Sequence, residues 1–400
     1  MATTQTRAKI GVMTATIIGM NAMIGAGIFA VPATLASSVG PAGLLTYAFV
    51  IMAVWFMALS ISRVAQLYPE EGSFYTYSRQ WGGHLVGVAA AGMYLIGLLI
   101  AMGLLAQVAG SYLHEVLPMI SQSNLGLMAL LALIGLNVAG VQMAELGQRI
   151  LIITTVFPIL ATTVLCFTKA DPTRLTPFLP KSMDSVLHAT KSVIFGFFGF
   201  ECAASLFNVV KNPKRNVPRA LTSSIVLVGG LYLLFVTAII LSTPLSLFVS
   251  AKTTLSSVLT QVFPNFGWLV TWIRLAVLSA VIGTLHSMIW SSSALLISFV
   301  RKLRSAPMRK IARSKYFNPR TSVLAVGACI ITSCLVLSSP DLFFSLTAIF
   351  LVTAYALSMM TLLFIPAEWK SGRNLITVGG LGMAGVILTF AVMGVVSALS

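Results

Sequence analysis

Residues 194–221 read I-F-G-F-F-G-F-E-C-A-A-S-L-F-N-V-V-K-N-P-K-R-N-V-P-R-A-L, and the fold follows from how this stretch can sit in a bilayer. Gly196 and Gly199 each weaken a helix by roughly 1 kcal/mol against Ala, and Glu201 follows them in a run otherwise apolar enough to span. On insertion scales an acidic side chain at mid-membrane costs roughly 2.5 to 3.5 kcal/mol. A glycine-loosened backbone beside a lone carboxylate therefore points to a cavity rather than to lipid.

The rest of the composition agrees with a membrane setting. The 400-residue chain is 58% hydrophobic and 8% charged, whereas about a quarter of a soluble domain is charged. It reads as one polytopic transmembrane domain, residues 1–400. The net charge of +16 does not indicate nucleic acid, because Lys and Arg sit in short segments between apolar runs, as membrane topology requires. Residues 1–9 are short and polar, and the apolar run from Ile10 is too long for a cleaved signal, so the first helix is expected to stay. Cys166, Cys202, Cys329 and Cys334 lack metal-type spacing and fall in apolar runs, which predicts free, buried thiols. No metal or other cofactor is expected. His84, His114, His188 and His286 form no paired zinc motif, and no Ser or Cys has a recognisable base partner, which argues against an enzyme.

A helix crosses the hydrocarbon core in about 20 apolar residues. Eleven runs are predicted to span: 10–37, 42–66, 84–114, 125–143, 150–167, 186–210, 220–241, 267–299, 323–337, 342–365 and 376–399. With the N-terminus in the cytoplasm, nineteen Lys and Arg residues fall in cytoplasmic segments and five on the other side, with Arg274 inside the eighth span. That asymmetry places a multi-pass protein in the cytoplasmic (inner) membrane with its N-terminus inside. Residues 301–320, with eight basic residues and no acidic one, read first as the strongest cytoplasmic anchor, with binding of lipid headgroups as the alternative reading.

The first run has 28 residues, about 42 Å as a straight helix, and contains Gly25-Ala26-Gly27 followed by Pro32. A break there frees N–H groups at the start of the outer half and carbonyls at the end of the inner half, which is useful only at a cavity, where they hold an anion and a cation. Close helix packing through small residues is the alternative. A second interrupted span five runs later favours the cavity, since paired broken helices mark transporter binding sites. Residues 68–79 are too polar to span and too aromatic for a plain linker, so an interfacial helix capped at Ser73 is expected, either a gate or a passive anchor. Residues 242–264 are expected to form an extracellular lid of one or two short helices.

These residues resemble the amino acid-polyamine-organocation permeases, and among them the arginine/agmatine antiporter group. The motifs are Gly25-Ala26-Gly27-Ile28-Phe29 with Pro32, then Gly72-Ser73-Phe74-Tyr75-Thr76-Tyr77, and Gly199-Phe200-Glu201 followed by Val209-Val210-Lys211-Asn212-Pro213-Lys214-Arg215-Asn216-Val217-Pro218. The resemblance implies an all-α, leucine-transporter-type fold with inverted repeats over 10–167 and 186–365 and an additional helix over 376–399, working by alternating access.

It also implies roles. Backbone N–H groups at Gly25, Ala26 and Gly27 would hold a substrate carboxylate, and backbone near Ala22, Met23 and Phe195 would accept from the ammonium. Phe195 would be an aromatic gate, and Glu201 the proton-sensitive carboxyl. Tyr94, Leu98 and Met102 on the third span, His286, Met288 and Trp290 on the eighth, and Thr347 on the tenth would select the side chain. Three departures stand out: Ala26 replaces a small polar residue, Glu71 replaces a glycine, and eleven spans replace the usual twelve, which leaves monomer or homodimer open. Leu98 and Met102 are apolar and offer nothing to a guanidinium. Some relatives use a lysine on the fifth span as an internal cation, which residues 150–167 lack, favouring exchange over proton symport.

Several residues carry two readings. Glu201 is a titrating switch or a packed, neutral carboxyl. Arg274, near Trp268 and Trp272, is expected to snorkel to the outer interface. His286 packs or contacts substrate. Glu145 and Arg149 form a local i,i+4 pair. Asn21 satisfies freed backbone or faces substrate. The function expected is secondary transport of an amino acid or related amine, by exchange or proton coupling. The competing function is a non-transporting sensor or scaffold subunit.

Overall fold

Prolines at first helical positions and glycines with positive φ set several of the boundaries in the computed structural model, which describes residues 10–25, 27–68, 73–140, 145–202, 210–248, 254–314, 316–337, 339–365 and 374–399. Helices make up the described chain, apart from turns and one isolated bridge between Ile10 and Val210. The helices are α1 (Val12–Met23), α2 (Gly27–Ser38), α3 (Gly43–Leu67), α4 (Ser73–His114), α5 (Gln122–Val138), α6 (Glu145–Thr168), α7 (Met183–His188) and α8 (Thr190–Phe195). They continue as α9 (Pro213–Ser242), α10 (Leu255–Val262), α11 (Gly267–Lys302), α12 (Ala306–Arg313), α13 (Pro319–Val336), α14 (Pro340–Met360) and α15 (Asn374–Leu399).

The starts are chemically specified. Asn318 and Thr321 form a reciprocal capping box ahead of Pro319, Ser339 accepts from the Leu342 N–H ahead of Pro340, and Ser121 and Thr254 cap α5 and α10 in the same way. In the connector before α7, Asp171 accepts from the N–H and hydroxyl of Thr173, which hold its carboxyl below the usual range.

Both breaks expected from sequence are present. The first run divides into α1 and α2 around Ile24 and Gly25, and the sixth stops at Phe195 and turns through residues 196–200 before helix resumes at Glu201. Lys211 then donates its backbone N–H to the Ile10 carbonyl, so the entry to the first run is tied to the segment following the second break. Pro32 lies inside α2 rather than ending it.

α14 packs on α4, α15, α8 and α3, while α9 joins α1, α3 and α6, and α11 lies against α4, α5, α6 and α13. Tyr47, Tyr232, Tyr355, Phe29, Phe197 and Phe200 are the largest side chains sealed inside. Seven described helices are long and apolar enough to cross a membrane, and outward side chains such as Leu131, Val164, Leu335 and Val396 are apolar and exposed, as a lipid-facing surface requires.

Four expectations need correction. Within the expected interfacial helix, residues 74–78 do not lie on a surface: from Ser73 the chain is the first part of α4, joined to the third span through Gly83 at φ 69° and ψ −164°, and Phe74, Tyr75 and Tyr77 are buried. Ser73 is the first helical residue rather than a preceding cap. Of the four cysteines, none of which forms a disulfide, only Cys166 is buried: Cys202 and Cys329 lie on exposed positions and Cys334 is half-buried. Arg274 does not only snorkel, since its Nε donates to Glu115 Oε2 at 2.7 Å. The side chains of Glu145 and Arg149, the structure of Ala26 and residues 69–72 lie outside the described residues.

Candidate functional site

The two breaks meet backbone to backbone. A β-carbon on Gly27 would stand 2.7 Å from Gly196 Cα, and one on Gly199, whose φ is +106°, would collide with the Ala22 carbonyl. Only glycine permits this approach, and at Gly199 only glycine takes the dihedral without strain. α2 begins at Gly27, so its first-turn N–H groups have no acceptor within the helix. α1 ends at Met23, so the carbonyls of its last residues lack intrahelical donors. Donors and acceptors that lipid would not tolerate are thus concentrated at one crossing.

Tyr232 on α9 answers part of that demand. Its hydroxyl lies 3.0 Å from the Met23 carbonyl oxygen and 3.2 Å from that of Gly196, so one phenol bridges both breaks. Nothing in the sequence distinguished Tyr232 from a packing aromatic. Thr284 on α11, which was also missed, comes against Gly25: a β-carbon there would be 3.2 Å from its hydroxyl.

Glu201, 8% exposed, accepts three hydrogen bonds. Tyr94 donates to Oε1 at 2.8 Å, Tyr355 to Oε2 at 3.0 Å and the Gly199 N–H to Oε2 at 3.1 Å. The carboxylate therefore joins α4, α14 and the second break, and all three partners are placed as donors. Below it Phe74 stacks on Tyr94 at 4.2 Å between centroids and lies 5.6 Å from Tyr355, while Phe200 is 5.0 Å from Tyr355. The start of α4 is fastened to α14 and the turn after it: Trp81 donates to the Leu357 carbonyl at 2.8 Å, Thr361 to the Tyr77 carbonyl at 2.8 Å, and the Ser78 and Ser358 hydroxyls meet at 3.3 Å.

Several of the expected site residues meet at this crossing. Gly25, Gly27, Ala22 and Met23 are in it, and Phe195 packs edge-on against Phe344 at 5.2 Å and Phe198 at 6.1 Å. Tyr94 belongs to the Glu201 cluster. Asn21, Ala22, Gly25, Leu98 and Met288 are each partly exposed, whereas Met102 and Thr347 are buried. Asn21 Oδ1 and Thr347 Oγ1 are buried atoms without a hydrogen-bond partner among the described residues. His286 turns the other way, its Nδ1 meeting Asn137 Nδ2 at 3.0 Å on α5. Trp290 does not join the group either: it is 37% exposed, on the same face of α11 as exposed Ser287 and Ser291.

Away from the crossing, two ion pairs join separate helices. Glu115 accepts from Arg274 and, on both oxygens, from Ser256 at 2.7 and 2.8 Å, with Thr254 also donating, so the end of α4, the short α10 and α11 share one carboxylate. Lys191 of α8 contacts Asp341 of α14 at 2.7 Å.

Helices that stop and restart against one another, with a buried carboxylate bonded to the second break, define a transporter of the leucine-transporter fold. The structure matches that of MhsT in complex with L-phenylalanine, with a TM-score of 0.63 over 96% of this chain and 98% of that one, at 13% identity. The amino acid permease family model matches residues 10–399, and the chain belongs to that family. It is a multi-pass membrane transporter of the amino acid-polyamine-organocation superfamily and not an enzyme. An uncharacterized transporter of Mycobacterium tuberculosis is 26% identical over 327 residues, 81% of this chain and 73% of that protein. The branched-chain amino acid permease BcaP of Bacillus subtilis is 23% identical over 249 residues, 56% of this chain and 52% of that one.

Proposed function

We propose that the protein moves zwitterionic amino acids with large apolar side chains across the cytoplasmic membrane by alternating access, and that Glu201 couples a proton to the cytoplasmic gate. The N-terminus and the basic segment 301–320 face the cytoplasm, and the repeats 10–167 and 186–365 move about the crossing. The carrying observation is that crossing itself, where free N–H groups of α2 and free carbonyls of α1 lie side by side. The substrate carboxylate sits on the backbone of Gly25, Ala26 and Gly27, and the ammonium on carbonyls at Ala22 and Phe195. Met23 contributes less, because Tyr232 occupies part of its carbonyl.

Leu98, Met288, Phe195, Phe198 and Phe344 supply an apolar and aromatic surround, with Asn21, Thr284 and Thr347 as polar exceptions. No carboxylate other than that of Glu201 lies near the crossing among the described residues, and three donors already occupy most of its acceptor sites. A guanidinium would therefore lack a counter-charge, whereas branched and aromatic side chains meet like surfaces. The branched-chain permease and the phenylalanine-bound fold relative are in keeping with this choice.

The gate follows from the chemistry of Glu201. Three donors suit the anion; a proton on the carboxyl replaces an acceptor by a donor and sets it against a tyrosine hydroxyl. Protonation loosens the junction of α4, α14 and the second break, releasing the Phe74 layer. Proteoliposome uptake of labelled leucine and phenylalanine tests this. Uptake should rise with an inward proton gradient, and Glu201→Gln should bind substrate yet lose the gradient response. Gradient-sensitive uptake in Glu201→Gln would overturn the coupling role. The absence of a basic residue in 150–167 favours a second reading, obligatory exchange, which would show as uptake dependent on internal amino acid and indifferent to the gradient. Binding without flux under either condition would make the protein a sensor.

A further inference from the structure

The eight residues of α12 follow the long α11 after only three intervening residues, and the transport cycle described above makes no use of them. At 100° per residue, Arg309, Lys310 and Arg313 fall on one face, and Pro307, Met308, Ile311 and Ala312 on the other. The basic face is exposed, and on the apolar face Pro307 and Ile311 are exposed while Met308 and Ala312 are partly so. Arg309, Lys310 and Arg313 are exposed, and with Ala306 and Ser314 they line a surface hollow. None of the three has an ion pair among the described residues, and residues 301–320 contain no acid. On the apolar side Ile311 is 43% exposed, and Tyr316 just beyond the helix is 72% exposed.

Topological anchoring needs positive charge but not its segregation on a helix. A disordered or evenly charged loop would serve equally well. A short helix with its apolar residues on one face and its cations on the other instead has the form that lies in the plane of a membrane surface. The adjoining membrane-crossing α11 ends at Lys302 and keeps α12 within reach of that surface.

We propose that α12 is a binding site for the headgroups of anionic phospholipids. Ile311, Met308 and Pro307 enter the acyl boundary, and Arg309, Lys310 and Arg313 engage headgroup phosphates. Charge complementarity selects an anionic lipid over a zwitterionic one, and the apolar face selects a membrane lipid over a soluble phosphate.

The test uses the full-length transporter purified in detergent and equilibrated with phosphatidylglycerol and phosphatidylcholine, with lipid retention read by native mass spectrometry. The wild type should retain phosphatidylglycerol preferentially, and Arg309→Gln/Lys310→Gln/Arg313→Gln should reduce that preference by about a hundredfold, given the contribution of each basic residue near an anionic surface. Ile311→Asn, which leaves the charge intact, should also weaken retention, and glycerol phosphate in solution should not displace the lipid. Unchanged melting temperature and unchanged uptake in phosphatidylcholine vesicles would show that the variants are folded. An undiminished preference in the triple variant, equal retention of both lipids by the wild type, or full displacement by glycerol phosphate would each overturn the proposal.

Discussion

At the residue scale, Tyr232 shows how one side chain makes two helix breaks compatible. Tyr232→Phe preserves the ring and its edge contacts with Tyr47 and Phe197 but leaves the Met23 and Gly196 carbonyls without their donor. A buried polar group left unpaired costs about 1–3 kcal/mol, so the variant should melt at lower temperature and bind substrate more weakly, as thermal unfolding with and without ligand will register. Glycine at 199 is as constrained: Gly199→Ala adds a β-carbon against the Ala22 carbonyl at φ +106° and should prevent the breaks from meeting, abolishing uptake. Gly25, Gly27, Gly199 and Glu201 were legible in the sequence because each is out of place in a spanning helix. Tyr232 and Tyr355 were not, because an aromatic in an apolar run looks like packing and their partners are remote: 209 and 36 residues away for Tyr232, 154 for Tyr355.

At the element scale, the start of α4 is buried and fastened to α14, and in the proposed cycle it closes the cytoplasmic end. The sequence marked it as a helix but not as a buried one, since its aromatic residues suit an interface as well as a core; the cross-links from Trp81, Ser78 and Tyr77 to α14 and the following turn make the difference. Gly83 is the elbow that folds this segment under Glu201. A β-carbon there would meet no atom within 4 Å, so Gly83→Ala tests conformation alone. Its φ of 69° and ψ of −164° lie in a region that is essentially glycine's own, and occupying it with alanine costs about 1–3 kcal/mol. The variant should displace Phe74 from Tyr94, slow transport and raise reactivity of a cysteine placed at Phe74 toward membrane-impermeant reagents. Arg274 was misread for a related reason: two tryptophans nearby explain a snorkelling cation locally, whereas its partner Glu115 is 159 residues away.

At the scale of the molecule, α4 carries both closures. Tyr94 and Glu115 are separated by 21 residues of mostly helical chain, about 30 Å, with the crossing of the breaks near the first and the Arg274 cluster at the second. The two closures differ in chemistry. Glu201 is held by neutral donors in a buried layer, where the proposed coupling makes a proton the trigger. Glu115 is held by a cation and two hydroxyls at side-chain exposures of 26% and 15%, where solvent competes and salt screens. Breaking a wholly buried ion pair costs about 3–5 kcal/mol and a fully exposed one 1 kcal/mol or less, so Arg274→Gln should cost about 1–3 kcal/mol. That penalty falls on the state in which α10 is bound to α4 and α11. Arg274→Gln should therefore shift the population toward the conformation open on that side, because a state is depopulated by the free energy it alone loses. A cysteine introduced at Ser257 should become more reactive to external reagent in Arg274→Gln, and high salt should move the wild type the same way. Adding Glu115→Gln should cause little further change, since the pair acts as one unit in a double-mutant cycle. Additive shifts would mean that Arg274 and Glu115 stabilise the closed end separately, and an unaltered accessibility would mean that α10 is not part of the closure.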